Sequence, residues 1–180
     1  MSSEKKINMK ISTKTGDAGK TKLMFGREVS KSCVRVRAYG ALDDLSAALG
    51  FARAFADSET GAFILSLQKS LTVLMTELAT DTSDFPKLAE RGIAHLGEAD
   101  LKVLEDRIEA AESAGDVFSG WAYSGENPLQ AALDMARARC RFAEREIVSL
   151  AEDGGLVRDF PLKYVNRLSD LLWILSQQAK

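Results

Sequence analysis

The sequence is poor in the residues that most often build metal centres, disulfide frameworks and nucleophilic active sites. Among its 180 residues are two cysteines, Cys33 and Cys140, and one histidine, His95. The cysteines lie far apart and show no Cys-x-x-Cys spacing, which argues against a zinc site of Cys and His ligands and against a disulfide framework. Such cysteine usage is typical of a reducing, cytoplasmic location.

The chain also lacks long apolar runs and an excess of charge of either sign. No apolar stretch follows the charged start at residues 1–6, and no window has the length of a bilayer span. Neither a secretory signal nor a membrane segment is therefore predicted. The 24 basic and 26 acidic residues give a formal net charge of −2, which provides no electrostatic reason to expect a nucleic-acid partner.

With only three prolines, long stretches of the chain keep the three- and four-residue apolar spacing of amphipathic helices. This spacing predicts five helices, at about residues 31–55, 59–80, 97–114, 128–153 and from 161 onward. Asn127 and Pro128 favour a helix start, and Gly154 with Gly155 a helix end. Strand signals are nearly absent. We therefore expect an all-α fold, in which residues 31–180 form one five-helix antiparallel bundle of ferritin-like size, preceded by an arm at residues 1–30.

The arm contains the most polar and glycine-rich segment of the chain, Thr-Lys-Thr-Gly-Asp-Ala-Gly-Lys-Thr at residues 13–21. Hydroxyl, ammonium and open backbone N–H groups suit a chain of phosphates. A P-loop needs four residues between its first glycine and the Gly-Lys pair, whereas Gly16 and Gly19 are separated by two, so that motif is rejected. From the segment alone, a phosphate-binding loop and a poorly ordered polar arm are both possible.

The fourth predicted helix carries four arginines within ten residues. Arg137, Arg141 and Glu144 share one helical face that borders the apolar stripe, which is compatible with an anion site and also with a surface laced with ion pairs. Periodicity assigns Asp43 to the inner face of the first helix, where a carboxylate needs a partner, and Arg137 is the candidate. The fifth helix holds a polar patch at residues 166–170.

Taken in order, these segments resemble the PduO-type ATP:cob(I)alamin adenosyltransferases. The resemblance rests on four motifs of this chain: Thr-Lys-Thr-Gly-Asp-Ala-Gly at 13–19; Lys31 followed by Arg-Val-Arg-Ala-Tyr-Gly-Ala-Leu-Asp-Asp-Leu at 35–45; Ala-Arg-Ala-Arg-Cys-Arg-Phe-Ala-Glu-Arg at 136–145; and Asn-Arg-Leu-Ser-Asp at 166–170. They extend over nearly the whole chain. Each motif alone is weak, but four in order are specific.

The resemblance implies a cytoplasmic homotrimer of five-helix bundles with active sites between subunits. Each site would transfer the 5′-deoxyadenosyl group of ATP to cob(I)alamin and release triphosphate. It implies an ATP site that includes Thr13, Lys14, Thr15, Gly16, Thr21, Lys22 and Lys31. Arg141, Glu144, Arg145 and Asn166 would complete that site from a neighbouring chain or bundle. Arg141 would act in catalysis together with an Arg137–Asp43 ion pair, and Trp121 would lie against the corrinoid.

Mg²⁺ would be held by the ATP phosphates, since no residue stands out as a metal ligand. The product would pass to an adenosylcobalamin-dependent enzyme, and neither nucleic acid nor membrane is an expected partner. The chain departs from the family pattern at Phe142, where arginine is usual, and at Trp121, where phenylalanine is usual. A non-catalytic ATP- or corrinoid-binding carrier or sensor on the same bundle is the alternative function, and a purely structural helical oligomer is a third.

Overall fold

Helices dominate the computed structural model, which describes residues 12, 14, 16–115 and 122–179. The described residues form six α-helices: α1 (Val34–Arg53), α2 (Ser58–Leu78), α3 (Pro86–Glu90), α4 (Glu98–Ser113), α5 (Pro128–Glu152) and α6 (Phe160–Gln178). Five of them are long and match the five predicted stretches to within a few residues.

Side-chain caps and glycines set several of the helix ends. The Asp57 carboxylate accepts a hydrogen bond from the Thr60 backbone N–H (2.8 Å) at the start of α2. At the start of α5 the Asn127 side chain accepts one from the Gln130 N–H (2.9 Å), and Pro128 occupies the first turn, as predicted. The α5 helix stops before Gly154, whose φ of 72° continues the chain in the left-handed region.

The long helices pack into one bundle, in which α1 contacts α2 and α5, and α6 contacts α5 and α4. Two ion pairs cross the α1–α5 interface, Arg37 with Glu146 (3.1 Å) and Asp44 with Arg139 (2.8 Å). From the first pair to the second, the residue number rises by seven on α1, from Arg37 to Asp44, and falls by seven on α5, from Glu146 to Arg139. The two helices are therefore antiparallel. Between them lies a leucine-rich core that is almost fully buried.

The ends of three helices are joined by one arginine that sequence reasoning did not single out. Arg35 donates hydrogen bonds to the carbonyl oxygens of Leu78 (2.9 Å), Thr80 (2.7 Å) and Gly155 (2.7 Å). Its guanidinium therefore ties the start of α1 to the ends of α2 and α5 and satisfies helix-terminal carbonyls. Burial lowers the pKa of Arg35, an effect that nearby carboxylates oppose.

Two features correct the prediction of an all-α, five-helix chain. The connection between the second and third predicted helices contains a 3₁₀ turn (Thr82–Asp84) and the short helix α3, which starts at Pro86. The arm contains an antiparallel hairpin of β1 (Lys20–Lys22) and β2 (Glu28–Ser30), in which Thr21 faces Val29. Elements of three to five residues are too short for hydrophobic periodicity to reveal them.

In residues 12–179, apart from the gaps named above, no single helix is long and apolar enough to cross a membrane. The pair formed by α2 and the segment Thr82–Glu90 meets the length and composition test, but it is bent by 101°. The apolar stripe of α2 is buried within the bundle.

Candidate functional site

The glycine-rich segment and the hairpin enclose a cavity of about 510 Å³, which is lined by Gly16, Lys20, Thr21, Lys22 and Glu28. The Lys31 ammonium lies over Gly16, at 2.7 Å from the position that a Cβ would take there. The absence of a side chain at Gly16 allows the lysine to approach the backbone this closely. The backbone also links the two parts, because the Lys31 N–H donates to the Gly19 carbonyl oxygen (2.9 Å). Gly16, Thr21, Lys22 and Lys31 thus lie together, as the resemblance implied.

Positive charge predominates in this cavity. The Lys20 ammonium donates to the Glu28 carboxylate at 2.7 Å, and this hydrogen bond raises the pKa of Lys20 and lowers the pKa of Glu28. Lys22 faces Glu28 across the hairpin, and Lys31 adds a third cation. One carboxylate among three ammonium groups leaves a net charge suited to a polyanion.

A tyrosine connects the hairpin to the bundle. The Thr21 side chain lies beside the Tyr39 phenol on α1. Burial raises the pKa of Tyr39, and the interaction with Thr21 opposes that rise. The cavity therefore lies on the side of α1 that carries Tyr39.

A second group of predicted residues meets where α5 packs on α6. The Asn166 amide donates to the Glu144 carboxylate at 2.8 Å. Arg141 and Arg145 lie exposed on the neighbouring surface of α5, and the Arg145 guanidinium is 5.9 Å from the centre of the Phe142 ring. No hydrogen bond or ion pair engages Arg141 in the described part of the chain. Exposed guanidinium groups beside a fixed carboxylate–amide pair can bind a phosphate.

The predicted burial of Asp43 was wrong. Asp43 is exposed, because Leu42 and Leu45 are the residues of α1 that point into the core. In this chain the Arg137 guanidinium donates instead to the Asp134 carboxylate at 2.7 Å, one turn earlier on α5. The neighbouring residue Asp44 pairs with Arg139.

The two groups of residues lie on opposite sides of the α1–α5 pair. Arg37 points to α5, and Tyr39, two residues further, leaves α1 about 160° away, on the side of the hairpin. Likewise Glu146 points to α1, whereas Glu144 leaves α5 about 160° away, toward α6. A single chain therefore does not close both groups around one ligand.

A larger cavity of about 660 Å³ lies between α4 and α6. Its walls include Ile108 from α4, Gly115 just after the end of α4, and Arg167 and Trp173 from α6. Gly115 directly precedes the segment that carries Trp121. Trp121, together with Thr13 and Thr15, lies outside the described residues, whereas Lys14 is described and has a φ of 58°.

Sequence reasoning missed two residues of the first cavity, Lys20 and Glu28, because it did not foresee the hairpin. The β-branched residues Thr21 and Val29 on either side of a Phe25-Gly26 pair were the available signal. Gly26 does adopt a positive φ of 89° in that turn. Three-residue strands give too few alternations for that signal to stand out.

Known proteins match this chain over nearly its whole length. The cobalamin adenosyltransferase family matches residues 11–179. The chain is 37% identical over 170 residues to the corrinoid adenosyltransferase PduO of Salmonella typhimurium, and the match covers 94% of this chain and 49% of that protein. It is 34% identical over 169 residues to a corrinoid adenosyltransferase of Citrobacter freundii, with 93% of both chains covered. The chain thus spans about half the length of the PduO relative and nearly all of the other.

Solved structures agree with this relationship. A variant PduO-type ATP:corrinoid adenosyltransferase from Lactobacillus reuteri, complexed with cobalamin and ATP, superposes with a TM-score of 0.84 at 29% identity. The superposition covers 94% of this chain and 93% of that one. A second variant of that enzyme, complexed with ATP, gives a TM-score of 0.83 at the same identity. By sequence and by fold, the chain belongs to the cobalamin adenosyltransferase family.

Proposed function

We propose that this chain transfers the 5′-deoxyadenosyl group of ATP to cob(I)alamin. In this reaction the Co(I) electron pair attacks C5′, a Co–C bond forms, and the C5′–O bond breaks to release triphosphate. Because cobalt is the nucleophile, the protein needs no activated serine, cysteine or histidine. It must orient C5′ over cobalt and stabilise the negative charge that grows on the leaving group.

The observation that carries this proposal is the pair of complementary surfaces described above. One is a cavity lined by two lysines, a threonine and a glycine, with the Lys31 ammonium over that glycine, and this arrangement suits a triphosphate. The other presents Arg141 and Arg145 beside the Asn166–Glu144 hydrogen bond. Residues 1–30 would be the nucleotide-binding arm, with Thr13, Lys14 and Thr15 extending the first surface. Arg141 would stabilise the leaving triphosphate.

We further propose that the two surfaces meet between subunits of a homotrimer. Their placement on opposite sides of the α1–α5 pair supports this, since each chain has both halves but cannot close them on itself. Exposed apolar side chains also lie on the outer face of α5, where Met135 is 42% and Phe142 is 41% exposed. Across such an interface the exposed Asp43 of one subunit could reach Arg137 of the next.

Mixing two impaired variants, assayed at an ATP concentration well below the KM, tests the shared site directly. A Lys31→Ala subunit is weakened in the first surface and an Arg141→Ala subunit in the second. If sites form between subunits, co-expressed and co-purified mixtures recover about a quarter of the wild-type sites for random association. Light scattering gives the number of subunits. Mixed oligomers that are no more active than the two parents would contradict a shared site.

The corrinoid would bind beside the segment that carries Trp121, next to the cavity of about 660 Å³ between α4 and α6. An aromatic wall there would exclude water and favour a cobalt without a lower axial ligand.

The described residues contain no group of three or more His, Cys, Asp or Glu side chains that could hold a metal ion. Mg²⁺ would therefore arrive on the ATP phosphates and add to the charge stabilisation that the lysines and arginines provide. A cytoplasmic location and delivery of the product to an adenosylcobalamin-dependent enzyme complete the proposal.

A turnover assay tests the proposed function. The protein is mixed with ATP, Mg²⁺ and chemically reduced cobalamin, and the light-sensitive absorbance of the Co–C bond is followed. Triphosphate should appear in equal amount, and omission of ATP is the control. ATP binding without any Co–C product would overturn the enzymatic proposal and favour a carrier or sensor.

A further inference from the structure

The tip of the hairpin, residues 23–27, is fastened to the segment at residues 81–91. The Arg27 guanidinium donates to the Asp84 carboxylate (3.1 Å) and to the Ser83 hydroxyl (2.8 Å). It also lies 3.7 Å from an oxygen of Asp81. The segment at residues 81–91, between two of the long helices, is therefore the surface that the tip of the hairpin contacts.

Asp84 is the buried centre of this contact. Its side chain is only 9% exposed and accepts from two cations, Arg27 and the Lys87 ammonium (2.7 Å). A buried carboxylate is stable only when its oxygens are paired in this way. The hairpin supplies one of the two partners, so undocking it would leave part of the Asp84 charge uncompensated.

An aromatic contact reinforces the ion pairs. Phe25 at the turn has a φ of 65°, in the left-handed region that favours glycine. Its ring lies 5.0 Å from the Arg91 guanidinium and 5.7 Å from the Lys87 ammonium, both within cation–π distance. The Met24 N–H donates to the Ala79 carbonyl oxygen at 2.9 Å, and Leu23 is buried. The tip thus contacts the bundle through the backbone, an aromatic ring and a charged side chain.

The two ends of the hairpin have separate tasks. The tip residues face the 81–91 segment, whereas Lys20, Thr21, Lys22 and Glu28 on the strands line the cavity proposed for triphosphate. Two strands of three residues are too short to be stable alone, so their place on the bundle depends on the tip. If the hairpin were docked for only a fraction of the time, the apparent affinity for ligand would be the full affinity multiplied by that fraction.

We propose that Arg27, through Asp84, is a positioning residue that holds the hairpin in its ligand-binding place and thereby sets the affinity for ATP. Arg27 does not line the cavity and would act only through the geometry of the strands. The inference rests on the proposed function for its ligand, whereas the docking itself can be measured without turnover.

The test compares Arg27→Ala and Asp84→Asn with Arg53→Ala as a matched control. Arg53 is exposed and donates one side-chain hydrogen bond to Gln68 (2.9 Å) at the other end of α1. We expect Arg27→Ala to raise the KM for ATP about three- to tenfold, the net effect of losing about one ordinary hydrogen bond, with little change in kcat or in the KM for cobalamin. Hydrogen exchange of the paired amides in residues 20–30 should be faster in the free variant, and Arg27→Lys should recover part of both effects.

The outcomes distinguish the positioning role of the Arg27–Asp84 contact, called the anchor below, from the proposed function. A folded Arg27→Ala protein whose KM for ATP and hairpin exchange match those of Arg53→Ala would overturn the anchor while leaving the transferase proposal intact. A wild-type chain without turnover, in which Arg27→Ala still accelerates hairpin exchange and weakens ATP binding in calorimetry, would support the anchor and reject the reaction. A fall in kcat with unchanged KM for ATP would also overturn the positioning role.

Discussion

The two halves of the proposed ATP site are built in opposite ways. The hairpin half consists of short strands, and two of its cavity residues, Lys20 and Glu28, form a hydrogen bond with each other. Other residues, at the tip of the hairpin, hold these strands on the bundle. The α5 half belongs to a helix whose position is fixed by its buried stripe of Cys140, Ala143 and Ile147. Its arginines need no separate anchor, and Arg141 and Arg145 remain exposed.

In the two halves, the residues that fix the position of the site are related differently to the residues that bind ATP. On α5, the packing of the helix against the core also determines where the arginines lie. Substitution of an exposed arginine should therefore change ligand binding and turnover but have little effect on the stability of the fold. On the hairpin, position and binding reside in different residues, so either can be altered alone. Substitutions in the two halves should therefore have different kinetic signatures.

The largest effect is expected for Arg141→Ala. Removal of one guanidinium that faces the leaving triphosphate should lower kcat/KM about 10²- to 10³-fold, because its charge would act mainly in the transition state. The measurement is the initial rate of Co–C bond formation at varied ATP. The control is Arg139→Ala on the same helix, since Arg139 is also exposed but pairs with Asp44 on α1. That surface pair contributes little, so the control should stay within about threefold of wild type; equal losses in the two variants would contradict a specific role for Arg141.

A smaller and kinetically different effect is expected for Gly16→Ala. The new Cβ would lie 2.7 Å from the Lys31 ammonium and 3.1 Å from its Cε, so the end of the lysine side chain must shift from its present place. The loss of one charged contact to phosphate should raise the KM for ATP about tenfold with a small change in kcat. Gly61→Ala on α2 is the control, because its nearest neighbour is at an ordinary 3.6 Å. An unchanged KM would contradict the expectation that the present position of the Lys31 ammonium over Gly16 is required for ATP binding.

The same difference explains what could be predicted from the sequence. The helices that carry Arg141, Glu144 and Asn166 follow from apolar spacing over many residues, and their ends from Asn127, Pro128 and Gly154. Composition and spacing identified the hairpin half only as polar and glycine-rich, and its assignment to ATP came from the family resemblance. Its geometry depends on contacts between distant segments, such as Arg27 with Asp84, that no local pattern encodes.

Asp43 shows a second limit, within a helix. Its predicted place in the core came from a periodicity that tolerates an error of one residue, since Leu42 and Asp43 differ by only 100° around the helix. The structure places Leu42 in the core and Asp43 outside. A carboxylate on the surface of one chain can still be part of a site between chains, and a single sequence holds no signal that distinguishes these cases.

A modest effect in the opposite direction is expected for Glu28→Gln. Glu28 binds Lys20 and adds the one negative charge to the cavity, so its neutralisation should free a cation and remove repulsion toward phosphate. We expect the KM for ATP to fall about two- to threefold, as for other exposed charges, and the gain to shrink at high salt. Asp106→Gln, which removes the carboxylate partner of Lys102 on α4, is the control. A higher KM in Glu28→Gln would instead show that the carboxylate assists binding.

The smallest effect is expected from pH, because the anchor of the hairpin should not respond to it over the neutral range. The hydrogen bond from Lys87, with that from Arg27, lowers the pKa of Asp84 below its ordinary value of 3.8. A carboxylate with a lowered pKa contributes its full stabilisation above the unfolded-state value and loses it as the pH falls through the lowered one. Exchange of the hairpin amides, corrected for intrinsic rates, should therefore be constant from about pH 8 to pH 5 and rise relative to the α5 amides only below about pH 4. Loss of hairpin protection between pH 5 and pH 7 would show that another group, and not Asp84, holds the tip.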